Sequence, residues 1–190
     1  MVKSRPPRVN PAPPGGRLDR QRWLDAGLQA VAAHGPAGLR VMAIAQQLGV
    51  TKGSFYWHFR DLAGYQAALL AEWETTRTRR LIARVEAAGG DATARLRALL
   101  RAVRDTEERL ALAVRAWATT NSAVATAVRR VDRRRLAYLA RLLHQLGWSK
   151  ADASTLAHWG YGAWLGRLAL GSPRLTSRQL ELLLARFAPG

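Results

Sequence analysis

Helical periodicity is the feature that most constrains this chain, because it continues with few breaks from about residue 19 to residue 188. In one clear stretch, apolar residues recur at helical spacing at Val41, Ile44, Ala45 and Leu48. No segment shows convincingly the period-two alternation that is typical of a half-buried strand. The sequence therefore predicts an all-α fold of about nine helices.

Capping and breaking residues predict where these helices begin and end. Asp61 and Asn121 are suitable N-caps for two long helices, and Thr176 and Gln179 have the spacing of a capping box. The expected helices cover about residues 19–34, 40–48, 52–59, 61–88, 92–104, 107–118, 121–146, 150–170 and 176–188.

The charge of the chain favours a polyanionic partner. There are 30 Lys and Arg residues against 13 Asp and Glu, a formal net charge of +17, and nucleic acid is the commonest partner of so basic a protein. Residues 1–17 contain five of the eight prolines and four basic residues. This composition predicts a disordered basic arm. Whether the arm contacts DNA stays open.

Other function classes are disfavoured by what the sequence lacks. With no cysteine, disulfide scaffolds, thiolate metal sites and thiol catalysis are excluded. We find no Gly-rich phosphate loop and no catalytic arrangement, and therefore expect no enzyme, no cofactor and no metal. No apolar run approaches the roughly 18–20 residues of a membrane span, and the first residues do not resemble a secretory signal. We expect a soluble cytoplasmic protein with no membrane partner.

The most informative stretch is residues 40–62, RVMAIAQQLGVTKGSFYWHFRDL, which has the spacing of two short helices joined by a turn. Gly49 can adopt a left-handed turn conformation without a Cβ clash. Thr51 can then cap the next helix, whose first turn carries Lys52 and Ser54. A helix-turn-helix unit places this second helix in the major groove of DNA.

The two faces of that helix differ in character. Phe55 and Phe59 lie four residues apart and are expected to pack inward. Tyr56 and Trp57 are then expected to face outward, where large aromatic rings gain little stability in water but can contact bases, sugars and phosphates. The alternative is that Tyr56 or Trp57 packs on a neighbouring domain.

The run from Gly49 to Phe59, GVTKGSFYWHF, resembles the turn and recognition helix of TetR-family transcriptional repressors. The resemblance covers about residues 20–72. It implies a three-helix DNA-binding domain at 18–62 and a helical ligand-binding and dimerisation domain at 63–190. The implied function is that of a ligand-released repressor that binds a palindromic double-stranded DNA operator as a homodimer. Two positions depart from the family pattern: Arg40 replaces the usual Ser or Thr cap, and Leu62 replaces a usual Lys.

Three sets of candidate site residues follow. The expected DNA-binding residues are Arg40, Thr51, Lys52, Gly53, Ser54, Tyr56, Trp57, His58 and Arg60. A small, largely apolar effector is expected to contact Trp73, Trp117, Tyr138, Trp159 and Trp164. The expected dimer interface contains Gly160, Ala163, Gly166 and Arg167 on one helix and Leu180, Leu183, Leu184 and Phe187 on the last. For the effector and dimer residues, ordinary packing within the domain is the alternative.

Two rival functions share some of these features. A ribosomal-type RNA-binding protein would have a similar charge, but it would not need seven tryptophans or a large apolar helical domain. The arginine-rich run at residues 129–135 suggests a membrane-surface binder, but the apolar stripe of its helix is narrow and favours core packing.

Overall fold

The computed structural model describes residues 16–104 and 108–187, with only the backbone described at 16–19 and 108. These residues form nine longer helices, a short 3-10 helix at Gly35–Gly38 and no strand. The first three are α1 (Gly16–His34), α2 (Val41–Leu48) and α3 (Lys52–His58). The long helix α4 consists of Leu62–Glu74, a π-helical turn at Thr75–Arg79 and Arg80–Ala87. The remaining helices are α5 (Ala92–Arg104), α6 (Glu108–Ala118), α7 (Ser122–Gln145), α8 (Lys150–Ala169) and α9 (Ser177–Phe187).

An aromatic cluster holds the first three helices against α4. The rings of Trp23 and Tyr65 each lie 5.3 Å from the ring of Phe55, and Phe59 lies 4.7 Å from Tyr65. All four side chains are buried. The Tyr65 hydroxyl donates a 2.5 Å hydrogen bond to the carbonyl of Trp23, and burial raises the pKa of Tyr65 well above its usual range. The start of α4 is thereby fixed to α1 and α3.

The C-terminal half is a helical bundle around α7. This helix packs extensively against α8 and α6, while α9 packs mainly against α5. Two ion-paired carboxylates tie these helices together. Buried Glu74 on α4 accepts hydrogen bonds from Arg130 and Arg134 of α7, each at 2.7 Å, and Arg115 of α6 contacts Asp132 of α7 at 2.6 Å.

Three of the predicted helix N-caps are confirmed. Asp61 accepts from the amide of Gly64, and Asn121 accepts from two amides at the start of α7. The amides of Thr176 and Gln179 form the reciprocal capping box. One boundary was wrong, because α1 begins at Gly16 instead of Asp19. Gly16 and Arg17 therefore belong to a helix and not to the predicted arm, whose residues 1–15 lie outside the described residues.

None of the helices in the described ranges is long and apolar enough to cross a lipid bilayer.

Candidate DNA interface and interior cavity

The turn between α2 and α3 has the geometry that the sequence predicted. Gly49 has φ 67° and ψ 31°, in the left-handed region, and its amide bonds back to the carbonyls of Ala45 and Gln46. The side chains at both helix starts differ from a standard capping arrangement. Arg40 and Thr51 occupy the N-cap positions of α2 and α3 with extended backbones, but neither side chain makes a capping hydrogen bond. Both side chains are exposed and remain available to a partner.

The two faces of α3 separate as expected. Phe55 and Phe59 are buried, whereas Tyr56 and Trp57 are 56% and 53% exposed. The alternative that one of the two packs on a neighbouring part of the chain is not supported by these exposures. Because the buried rings fix the rotation of α3, its outward face is defined by the core and presents two large aromatic side chains to solvent.

The remaining candidate DNA-binding residues lie around these rings. Lys52 and Gly53 are exposed, and Ser54 is half-buried. Arg60 is exposed and pairs with Asp61 at 2.9 Å. The hydrogen bond from the Gly64 amide and the pairing with Arg60 lower the pKa of Asp61. No acidic residue occurs from position 40 to position 60, and the next one along the chain, Asp61, is the partner of Arg60.

His58 differs from the expectation of a simple phosphate contact. Its Nε2 atom is buried without a hydrogen-bond partner among the described residues, and its ring lies 6.2 Å from that of Phe59. Only the other ring nitrogen can therefore face a phosphate in this conformation.

Met42 was not among the predicted DNA-binding residues, but it is 63% exposed in the first turn of α2. The signal was present, because Met42 lies outside the apolar stripe formed by Val41, Ile44, Ala45 and Leu48. Leu62, at the position where the family usually has Lys, is also exposed. Both apolar side chains lie on the elements that flank α3.

A cavity of about 550 Å³ lies within the C-terminal bundle, between α4, α5, α7, α8 and α9, with α6 contributing at one side. Its walls are mainly apolar. Four of the five expected effector contacts line it, namely Trp73, Tyr138, Trp159 and Trp164. Trp159 is 78% exposed, which places it where the cavity opens to solvent.

The fifth expected contact, Trp117, lies elsewhere. It is buried in the hydrophobic core shared by α1, α4, α6 and α7 and does not line the cavity. A large ring fills a core as readily as it lines a cavity, so the residue type alone did not separate the two environments.

Half of the α9 residues predicted for the dimer face are buried within the chain itself. Leu180 and Leu184 are buried within their own chain, and Leu184 belongs to a core cluster with Leu142 and Leu143 of α7. Phe187 packs against that cluster, and a Cβ added at Gly160 would lie 3.1 Å from its ring. Six residues predicted for the dimer face contribute to the cavity wall: Gly160, Ala163, Arg167, Leu180, Leu183 and Phe187. For Leu180 and Leu184, the burial favours the alternative of packing within the domain.

A polar network borders the cavity between α6, α7 and α8. Asp132 binds Arg115 through two hydrogen bonds of 2.6 and 3.1 Å and accepts a third from the Tyr161 hydroxyl at 2.7 Å. Burial and the neighbouring Asp132 raise the pKa of Tyr161. The ring of Tyr161 stacks on that of Trp164 with centroids 5.4 Å apart.

Comparisons with known proteins agree with this architecture. The family model described as "Bacterial regulatory proteins, tetR family" matches residues 24–62. Two HTH-type transcriptional regulators of Pseudomonas putida, SrpR and TtgW, are each 40% identical over 52 residues. That stretch is 27% of this chain, and it spans 24% of SrpR and 39% of TtgW.

Similarity of fold extends much further along the chain. The crystal structure of a transcriptional regulator of the TetR/AcrR family superimposes with a TM-score of 0.75 at 21% identity, covering 90% of this chain and 99% of that one. Proteins of this family are transcriptional regulators and not enzymes. The helix-turn-helix match at 24–62, together with an all-helical architecture shared with solved TetR/AcrR regulators, supports a TetR-family transcriptional regulator.

Proposed function

We propose that this protein is a repressor that binds a palindromic DNA operator as a homodimer and is released when a small effector occupies the C-terminal cavity. The observation that carries the proposal is the outward face of α3. Tyr56 and Trp57 are exposed on a helix whose rotation is fixed by buried aromatic rings, within a stretch that lacks acidic residues.

On DNA, the aromatic pair and the basic residues around it have different tasks. Tyr56 and Trp57 present apolar rings to thymine methyls and sugars, and their O–H and N–H groups can donate to phosphates. Lys52 and Arg40 supply positive charge beside them. Base contacts give sequence preference, whereas phosphate contacts strengthen binding to every sequence and are weakened by salt.

A homodimer would present two recognition helices to successive major grooves, about 34–36 Å apart. The support for dimerisation now comes from α8 alone. Trp159, Ala163, Gly166 and Leu170 follow one another at helical spacing, and Leu170 is 83% exposed. A Cβ added at Gly166 would meet no atom within 4 Å, so a partner helix can approach closely there. Because Trp159 and Ala163 also border the cavity, a partner on this face would cover its opening.

The effector acts through α4, which contacts both functional regions. Tyr65 near its start is fixed in the aromatic cluster beneath α3, and Trp73 and Thr78 further along line the cavity. A ligand that favours a different position of α4 therefore shifts the separation of the two recognition helices. Coupling of about 1–3 kcal/mol between two sites is typical and is sufficient to release an operator.

A selection from a random duplex DNA library tests the proposal and does not require the operator sequence. We expect the purified protein to enrich an inverted repeat whose half-site centres are about one helical turn apart. The matched control is the Tyr56→Ala/Trp57→Ala variant, which keeps the net charge and should enrich no sequence. If the wild-type protein enriches nothing, or enriches RNA in a parallel selection in place of DNA, the proposed function is wrong.

A further inference from the structure

We propose that the cavity takes an amphipathic anion, an apolar molecule with a carboxylate or similar oxyanion head group, and that Arg135 binds the head group. This assignment rests on the proposed effector function and specifies the chemical class of the ligand.

Arg135 is a half-buried, positively charged residue of α7 that lines the cavity. Its guanidinium donates to the Thr78 hydroxyl at 3.1 Å, to the carbonyl of Arg77 at 3.1 Å and to the Tyr161 hydroxyl at 3.4 Å. All three acceptors are neutral. Within the described ranges, no carboxylate forms an ion pair with Arg135. A guanidinium withdrawn from water without a counter-charge is unfavourable unless a ligand supplies one.

The acidic residues that could have neutralised Arg135 are engaged elsewhere. Asp132, three residues earlier on α7, binds Arg115 and Tyr161. Glu74, one turn before Thr78 on α4, is paired with Arg79, Arg130 and Arg134. Among the described residues that line the cavity there is no Asp or Glu, so an anion would meet no like charge on the walls.

An unsatisfied hydrogen-bond donor lies beside Arg135. The Cζ atom of Arg135 is 5.5 Å from the ring centroid of Trp164, and the indole Nε1 atom of Trp164 is buried without a hydrogen-bond acceptor in the described structure. A buried N–H without an acceptor is costly, so this donor favours a ligand that can accept from it. An oxyanion at this point would accept from both donors, while its apolar body would lie against the leucine side chains of α4, α5 and α7.

The hydrogen bonds of Arg135 also connect the proposed ligand to α4. Two of its three hydrogen bonds go to Arg77 and Thr78, which belong to the π-helical turn of α4. Turns of this type occur mainly as short interruptions of α-helices, frequently at functional sites. An anion that draws the guanidinium toward itself would weaken these bonds and change the position of α4.

Two fluorescent probes with the same ring skeleton test the assignment. 1-Anilinonaphthalene-8-sulfonate carries an anionic head group, and N-phenyl-1-naphthylamine is the same molecule without the sulfonate. We expect the wild-type protein to bind the sulfonate at least about tenfold more tightly at physiological salt, as charge-assisted hydrogen bonds require.

Two variants assign that preference to the cavity. Arg135→Gln should abolish the preference while leaving the affinity for the neutral probe unchanged, and Trp164→Phe should reduce it. The matched control, Arg133→Gln, removes the same charge from an exposed position on the same helix and should have no effect.

The outcomes separate this inference from the proposed function. If the neutral probe binds and the sulfonate is not favoured, or the preference survives Arg135→Gln, the anion assignment is wrong and the cavity remains. If neither probe binds, both the anion assignment and the proposed effector function are wrong. If the preference depends on Arg135 but ligand binding leaves DNA affinity unchanged, the anion site stands and the ligand-released repressor does not.

Discussion

At the scale of single residues, Gly27 and Tyr65 pack closely against each other in the DNA-binding region. A Cβ added at Gly27 would overlap the Tyr65 hydroxyl oxygen, and that hydroxyl bonds to the carbonyl of Trp23. The tyrosine ring is also part of the aromatic cluster that fixes α3. Loss of this contact therefore disturbs the platform beneath Tyr56 and Trp57.

We predict that Gly27→Ala destabilises the protein by about 1–3 kcal/mol, because the methyl group must displace Tyr65 and leave a buried carbonyl without its donor. Denaturant unfolding measures the change. Gly53→Ala in the same region is the control, since its Cβ would meet only the Thr51 hydroxyl at 3.5 Å. Equal stability of the two variants would show that the Gly27–Tyr65 contact is unimportant.

At the scale of helices, the ion cluster around Glu74 joins α4 to α7. Burial favours the neutral form of Glu74, but hydrogen bonds from Arg130, Arg79 and Arg134 outweigh it and lower the pKa of this carboxyl. A carboxyl with a lowered pKa in the folded state stabilises the protein above its unfolded pKa of about 4.3. That contribution is lost as the pH falls through the folded pKa.

We therefore predict that Glu74→Gln lowers the free energy of unfolding at pH 7 by about 2 kcal/mol, in the range of hydrogen bonds to charged groups. The difference from the wild type should shrink as the pH falls below about 4. Urea unfolding at several pH values checks both statements, with Glu181→Gln, whose ion pair with Arg97 is exposed, as the control. A difference that persists unchanged to about pH 3 would contradict the role of the charge.

Helix positions were largely predictable from sequence because their signals are local. The caps Asp61, Asn121 and Thr176 specify where helices begin without reference to the rest of the fold. For α1 the sequence offered Asp19 as the cap, whereas the helix begins at Gly16. The π-helical turn at Thr75–Arg79 was also not predicted, since nothing in the residues of that turn distinguishes it from ordinary helix.

The helix, core or cavity that each apolar side chain contacts was less predictable from sequence. The apolar stripe of α9 shows that the helix is covered on one side, but not whether the cover comes from α5 and α7 or from a second chain. For the same reason the sequence could not assign Trp117 to the core and Trp164 to the cavity. The sequence also could not show that Arg135 has no carboxylate partner among the described residues, because any of the 30 basic residues could have formed an ion pair.

At the scale of the whole molecule, the proposed dimer makes α8 the interface. We predict that Ala163→Glu combined with Leu170→Glu yields monomers in sedimentation experiments, because two carboxylates would be placed in an apolar contact. Leu112→Glu, at an exposed leucine on α6, is the control and should remain dimeric. A dimer that persists in the double variant would place the interface elsewhere. If the wild-type protein sediments as a monomer, the proposed homodimer is wrong.

The assignment of α3 as the DNA-reading surface is tested most directly by fluorescence anisotropy. The selected duplex is titrated with wild-type protein and with the Tyr56→Ala and Trp57→Ala variants. We expect each truncation to weaken binding to the selected site by about 1–3 kcal/mol, which is roughly 5-fold to 150-fold. We also expect nearly unchanged binding to a scrambled duplex and unchanged unfolding, because both rings are exposed in the free protein. Equal affinity of wild type and both variants for the selected site would contradict the assignment of α3 as the surface that reads DNA.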